Sequence, residues 1–165
     1  MRKLLVLLIM FIPLFAMAKD VRIKVKTDDG LIQQYVDDII SVRFYGAKTA
    51  PNYFITIEII NNTNERIELE WENAKFESGR VLFPDDTGLT KNNQRANEVV
   101  FGGDKLKKEF TSQSFWNEHR EMLTKIYSMK SVKNSESEFK KTLILPVIHN
   151  GETTDYRFEL IFVIE

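Results

Sequence analysis

Tyr53-Phe54-Ile55-Thr56-Ile57-Glu58-Ile59-Ile60 runs into Asn61-Asn62-Thr63-Asn64, and Ile67-Glu68-Leu69-Glu70-Trp71 follows; how this stretch is read decides the fold. Tyr53, Ile55, Ile57 and Ile59 alternate with Phe54, Thr56, Glu58 and Ile60, and β-branched and aromatic side chains of this kind suit a pleated surface. Side chains two apart share one face of a strand, so Ile67, Leu69 and Trp71 gather on one side while Arg66, Glu68, Glu70 and Glu72 gather on the other. One face is dry and one is wet. The four polar residues between the strands are turn formers, because Asn tolerates left-handed backbone and bonds its own local amides. The expectation is a hairpin.

Working outward, Val21, Ile23 and Val25 alternate with Arg22, Lys24 and Lys26, and Asp28-Asp29-Gly30 reads as a turn. Leu31 to Asp38 has no clear period, whereas Ile40, Val42 and Phe44 restore a strand. Beyond Trp71, Phe76 precedes the turn Glu77-Ser78-Gly79, Val81 to Phe83 reads as a short strand, and Pro84-Asp85-Asp86-Thr87-Gly88 ends it. Leu89 to Asn97 is polar and without a core face, so it reads as a long loop. Val99 to Phe101, Gly102-Gly103 and Leu106 to Thr111 read as a strand, a tight turn and its partner.

One segment argues for a helix. Phe115, Trp116, His119, Met122, Leu123, Ile126 and Tyr127 recur at helical spacing, with Ser114 placed to cap. After the charged run Lys130 to Glu138, two strands close the chain, Thr142 to Ile148 and Tyr156 to Ile164, joined through the hairpin signal Asn150-Gly151. Pro146 lacks a backbone donor and marks an edge or irregular portion of the first of these. The fold class expected is mainly β: an antiparallel immunoglobulin-like sandwich of about seven to nine strands with one short helix.

The Tyr53 to Asn64 run, the Trp71-bearing segment after it, Ala74-Lys75-Phe76, Gly79-Arg80-Val81, and the closing Leu143 to Val147, Asn150-Gly151 and Tyr156-Arg157-Phe158 resemble immunoglobulin-like domains of uncharacterised exported bacterial proteins of the Gram-negative envelope. The resemblance covers about half of the chain after residue 18 and implies an envelope location. It carries no catalytic residues. Many such proteins are lipoproteins, and this chain departs from them in having no cysteine to carry a lipid.

The amino terminus agrees with export. Arg2 and Lys3 precede the apolar run Leu4 to Phe15, and Ala16-Met17-Ala18 supplies a small-residue cleavage site. A helix needs roughly 20 apolar residues to cross a bilayer, more than this run provides. Residues 1–18 are therefore read as a signal peptide and 19–165 as a single domain that is periplasmic or secreted. With 23 basic and 24 acidic residues, the chain lacks the strong positive balance of a nucleic-acid binder. The densest basic group, Lys105, Lys107 and Lys108, is answered by Asp104 and Glu109. Zero cysteines and two histidines, His119 and His149, leave little for thiol chemistry or a zinc site.

Ser114, His119 and Glu118 or Glu121 lack the nucleophile elbow of a hydrolase, so no catalytic residue is assigned. His119 reads as a helix-face residue and His149 as an exposed residue beside a turn. The acidic pairs Asp28-Asp29, Asp37-Asp38 and Asp85-Asp86 read as turn chemistry ahead of calcium ligands, since the spaced calcium-loop pattern is missing. No metal or cofactor is implied. Asn61-Asn62-Thr63 matches the glycosylation acceptor pattern and reads as turn sequence. Trp71 falls on a buried strand face. Phe115 and Trp116 diverge by about 100° on a helix, so one of them is the candidate binding surface. The function expected is a non-catalytic binding or structural module with a protein or glycan partner in the envelope. The alternatives are a sugar-binding module using exposed aromatics and a small envelope hydrolase with a carboxylate site.

Overall fold

The computed structural model describes residues 21–45, 54–86, 94–112 and 139–164, and every regular element among them is a β-strand. In chain order these are β1 (Val21–Thr27), β2 (Gly30–Ile32), β3 (Gln34–Val36), β4 (Ile40–Tyr45), β5 (Ile55–Asn61), β6 (Ile67–Leu69), β7 (Lys75–Phe76), β8 (Gly79–Arg80), β9 (Glu98–Val100), β10 (Lys105–Phe110), β11 (Phe139–His149) and β12 (Glu152–Ile164). One sheet has the order β2-β1-β12-β11-β6-β9, with the short β7–β8 pair attached to β11. The second has the order β10-β5-β4-β3, and all pairings are antiparallel. The expected helix, with Phe115, Trp116 and His119, lies outside the described residues, as do residues 1–20. Among the described residues no helix is long and apolar enough to cross a membrane.

The twelve strands among the described residues exceed the seven to nine expected because short pieces escape a periodicity reading. The segment 31–38 holds the end of β2 and all of β3, which belong to different sheets on either side of Gln33. Val81 to Phe83 is not a strand; the hairpin partner of β7 is β8, and Leu82 makes only an isolated bridge to Thr111. Two or three paired residues leave no room for an alternation to repeat.

Alternation does predict what is buried. Ile55, Ile57 and Ile59 of β5, Ile40, Val42 and Phe44 of β4, and Leu143, Leu145 and Val147 of β11 all belong to one hydrophobic cluster that draws on both sheets. Edge-to-face contacts tie the sheets together, Phe44 to Phe158 at 5.5 Å and Phe76 to Phe110 at 5.2 Å. Pro146 fits β11 because its neighbour changes there. β6 pairs with Val147–His149 and β7 with Leu143 and Ile144, while the Pro146 carbonyl accepts from Glu70 N in the gap between them. A residue's amide and carbonyl point to the same side of a strand, so the missing donor faces the interruption.

The two central hairpins expected from the sequence are not hairpins. β5 lies in the smaller sheet and β6 in the larger, so the Asn61–Arg66 segment arches from one sheet to the other. The Phe101–Asp104 segment makes the reverse crossing from β9 to β10. The closing pair does follow its signal: β11 and β12 meet at a two-residue turn in which Asn150 has φ 54° and Gly151 φ 81°. Two positive φ values in succession give the turn whose twist matches paired strands.

Candidate functional site

Two constellations of polar and aromatic side chains stand out. The first stitches the arches together. Asn61, fully buried at the end of β5, donates from Nδ2 to the carbonyls of Glu65 (2.7 Å) and Val100 (2.9 Å). Its Oδ1 accepts from the Thr63 amide (2.9 Å) and the Thr63 hydroxyl (2.8 Å). Its backbone amide donates to Asp104 O, and its carbonyl accepts from Gly103 N. Every polar atom of this residue is hydrogen-bonded, as burial of an amide demands. Gly102 lets the arches meet, since a Cβ there would stand 2.6 Å from the Asn64 carbonyl carbon.

The acceptor pattern at Asn61 thus serves the fold, and the folded chain presents no free side-chain nitrogen there. Asn62 extends the network, donating from Nδ2 to the Asp37 carbonyl. The Asp37 carboxylate in turn accepts from the Ile39 and Ile40 amides and from the Tyr35 hydroxyl. Burial, with hydrogen bonding to Asp37, raises the phenols of both Tyr35 and Tyr156 above the ordinary tyrosine range. His149 is half-buried rather than exposed, with Nε2 3.4 Å from the Glu65 carboxylate, because register sets it beside Ile67 at the foot of the arch.

The second constellation closes the core beside β10. Trp71 and Phe83 are buried and meet edge to face at 5.3 Å. Glu98 accepts from Trp71 Nε1 at 2.8 Å and from Lys108 Nζ at 2.7 Å. Lys108 shares the core-facing side of β10 with Phe110, and its ammonium lies 4.4 Å from the Phe83 ring centre. The Arg95 guanidinium approaches the same ring at 4.5 Å, pairs with Asp86 and donates to Val81 O. Burial lowers the Arg95 pKa from its ordinary value, with the Asp86 charge acting against that shift. Glu72 accepts from Arg80 (2.6 Å) and from the Arg95 amide (3.0 Å).

These pairings decide what the groups can do. Asp86, read as half of an acidic turn pair, is held by Arg95 and by the Phe83 amide. Asp85 beside it is exposed. Among the described residues no three His, Asp or Glu side chains converge as metal ligands. Trp71 is 1% exposed and cannot stack on a sugar. The other aromatic candidates, Phe115 and Trp116, lie outside the described residues. Of the basic group on β10, Lys105 and Lys107 face outward while Lys108 turns inward. An inward-pointing charge on a margin strand is a known guard against unwanted pairing.

Sequence reasoning missed Arg95. It lies in the polar run read as a loop without a core face, and no local pattern marks it, because its partners Asp86, Val81 and Phe83 come from a different segment. Comparison of the sequence with known protein families finds no matching family, and no curated protein matches it.

Proposed function

We propose that the chain is an exported immunoglobulin-like sandwich, residues 19–165, that works by binding and not by catalysis. For the fold, support comes from strand adjacency. Taking β4, β5, β6, β9, β10, β11 and β12 as strands A, B, C, C′, E, F and G gives A-B-E in one sheet and C′-C-F-G in the other, an immunoglobulin-like order that lacks strands D and C″ of the variable type among the described residues. The B-to-C connection is then the Asn61 arch, and the buried Trp71 follows strand C. β1 and β2 are additions beyond strand G, and β3 one beyond strand A.

The observation that carries the non-catalytic reading is the pairing of four half-buried carboxylates among the described residues. Glu98, Glu72, Asp86 and Asp37 each accept from a cation, an indole, a phenol or a backbone amide. A general base needs a lone pair aimed at substrate, and these lone pairs are directed at the protein's own donors. Export is supported by the Arg2-Lys3, Leu4–Phe15 and Ala16-Met17-Ala18 sequence.

Cell fractionation, with the mass of the recovered chain, tests export: a product beginning at Lys19 in the envelope or medium is expected, and an intact chain in the cytosol overturns it. Capture of partners from envelope extract tests the binding class. A reproducible partner retained after washing is expected, and its absence, together with turnover of a hydrolase substrate, would replace the reading.

A further inference from the structure

The outward face of the larger sheet collects cations from four strands that are distant in sequence. Alternation turns Arg22, Lys24 and Lys26 of β1 away from the buried Ile23 and Val25. Register sets Lys24 beside Ile161 and Ile161 beside Lys140, and sets Lys26 beside Glu159. Arg157 lies beside Ile144, which lies beside Lys75 of β7. Arg22, Lys26, Lys75, Lys140 and Arg157 are exposed, and Lys24 is half-buried. Arg22 has an interaction of its own; with strands about 4.8 Å apart and alternate residues about 7 Å apart, the other five cations spread over roughly 15 by 15 Å, with the buried Ile161 between Lys24 and Lys140.

Two carboxylates interrupt this area: Lys140 binds Glu159 at 2.7 Å, and Glu77 accepts from the amide of Thr142, the residue paired with Glu159, at 2.7 Å. The hydrogen bond from Lys140, with the charges of Lys140, Lys26 and Arg157, holds the Glu159 carboxyl below its ordinary range. Asp155, two residues from Arg157 and on the same side of β12, stands at the margin. Leu31, 44% exposed, is paired with Lys26 and shares the face. The opposite sheet has a smaller surplus: there Lys107 and Arg43 flank Glu58 by register, Lys105 stands 3.8 Å from it, and Glu109 shares the outward side of β10.

We infer that this basic face docks the protein on an anionic phospholipid bilayer, with the lysines and arginines meeting lipid phosphates and Leu31 entering the interface. Charge complementarity sets the sign of the partner, and shape selects the membrane. The cations spread in two dimensions on a flat sheet, as a bilayer plane requires, and do not follow a groove or stripe as a nucleic-acid strand would. Among the described residues the face carries no aromatic ring on which bases could stack. This deepens the binding-module reading by naming a partner, and it fails separately, since vesicle binding can be absent while a protein partner is still captured.

Cosedimentation of the exported protein with phosphatidylglycerol-containing vesicles, and with pure phosphatidylcholine vesicles, tests the inference. Each Lys or Arg near an anionic surface strengthens binding roughly fivefold. Lys26→Glu with Arg157→Glu should therefore weaken binding roughly 25-fold or more, while Lys105→Glu with Lys107→Glu, the same charge change on the other sheet, should leave it within about threefold. Wild-type binding should also fall steeply between low and high salt. These salt and lipid comparisons need no variant. Equal binding to the two vesicle types, equal loss in the two double variants, or tighter retention on duplex DNA at the same salt would each overturn the membrane as partner.

Discussion

Two Asn-bearing connections in this chain look alike in sequence and do opposite things. His149-Asn150-Gly151-Glu152 closes a hairpin between neighbouring strands of one sheet, while Asn61-Asn62-Thr63-Asn64 sends the chain across the core to the other sheet. In the first, the backbone does the work: Asn150 and Gly151 take positive φ, and their neighbours pair directly. In the second, the side chain does it. Neither Asn61 nor its three successors has positive φ, and the Asn61 amide bonds the far arch through Val100. A turn read from composition alone cannot separate these cases, because Asn is suited both to left-handed backbone and to capping loose amides.

The comparison is open to being broken, most severely at Asn61. Asn61→Ala should lower unfolding free energy by about 3 kcal/mol in a denaturant titration, since the buried Val100 carbonyl and the part-buried Glu65 carbonyl lose their donor and the Thr63 amide and hydroxyl their acceptor. Asn150→Ala should cost about 1 kcal/mol, the strain of a left-handed residue. Equal costs would mean that the arch does not depend on its side chain.

Gly102→Ala comes next, at about 2 kcal/mol, because the new methyl meets the Asn64 backbone and the two arches must separate. Gly151→Ala meets nothing within 4 Å and bears only the cost of positive φ, about 1 kcal/mol. The distinction sharpens if Gly102→Ala also speeds amide exchange at Asn61 and Gly103, where the arches share backbone hydrogen bonds.

Smallest is an alkaline effect at the arch's flank. Tyr35 and Tyr156 have folded pKa values raised above the ordinary value of 10.0. The stability they add is therefore present below about pH 10 and lost as pH rises through the folded values. Absorbance titration should show both phenols ionising later in the folded chain than in denaturant. Asp37→Asn should narrow that gap, while a variant unchanged in its titration would dissociate the tyrosines from the Asp37 turn.

Much of this molecule was legible in one dimension. The period-two pattern identified β1, β4, β5, β11 and β12 and the core residues on them, because burial on one face of a strand writes itself into neighbouring positions. Asn150-Gly151 gave the closing hairpin for the same local reason. The Trp71 environment was legible only in part: its burial followed from spacing with Ile67 and Leu69, but its partners Glu98 and Lys108 did not.

Local chemistry thus determined that the chain forms strands, which side chains those strands bury and where the chain turns. The tertiary structure decided which strands became neighbours, and with that the two arches, the pinning of Arg95 against Phe83 and the gathering of cations on one outer face. The physical reason is the range of the forces concerned. Alternation and turn propensity act between residues a few positions apart, whereas strand pairing and charge clustering bring to one face residues as distant as Lys24 and Lys140, which flank Ile161 of β12 from either side.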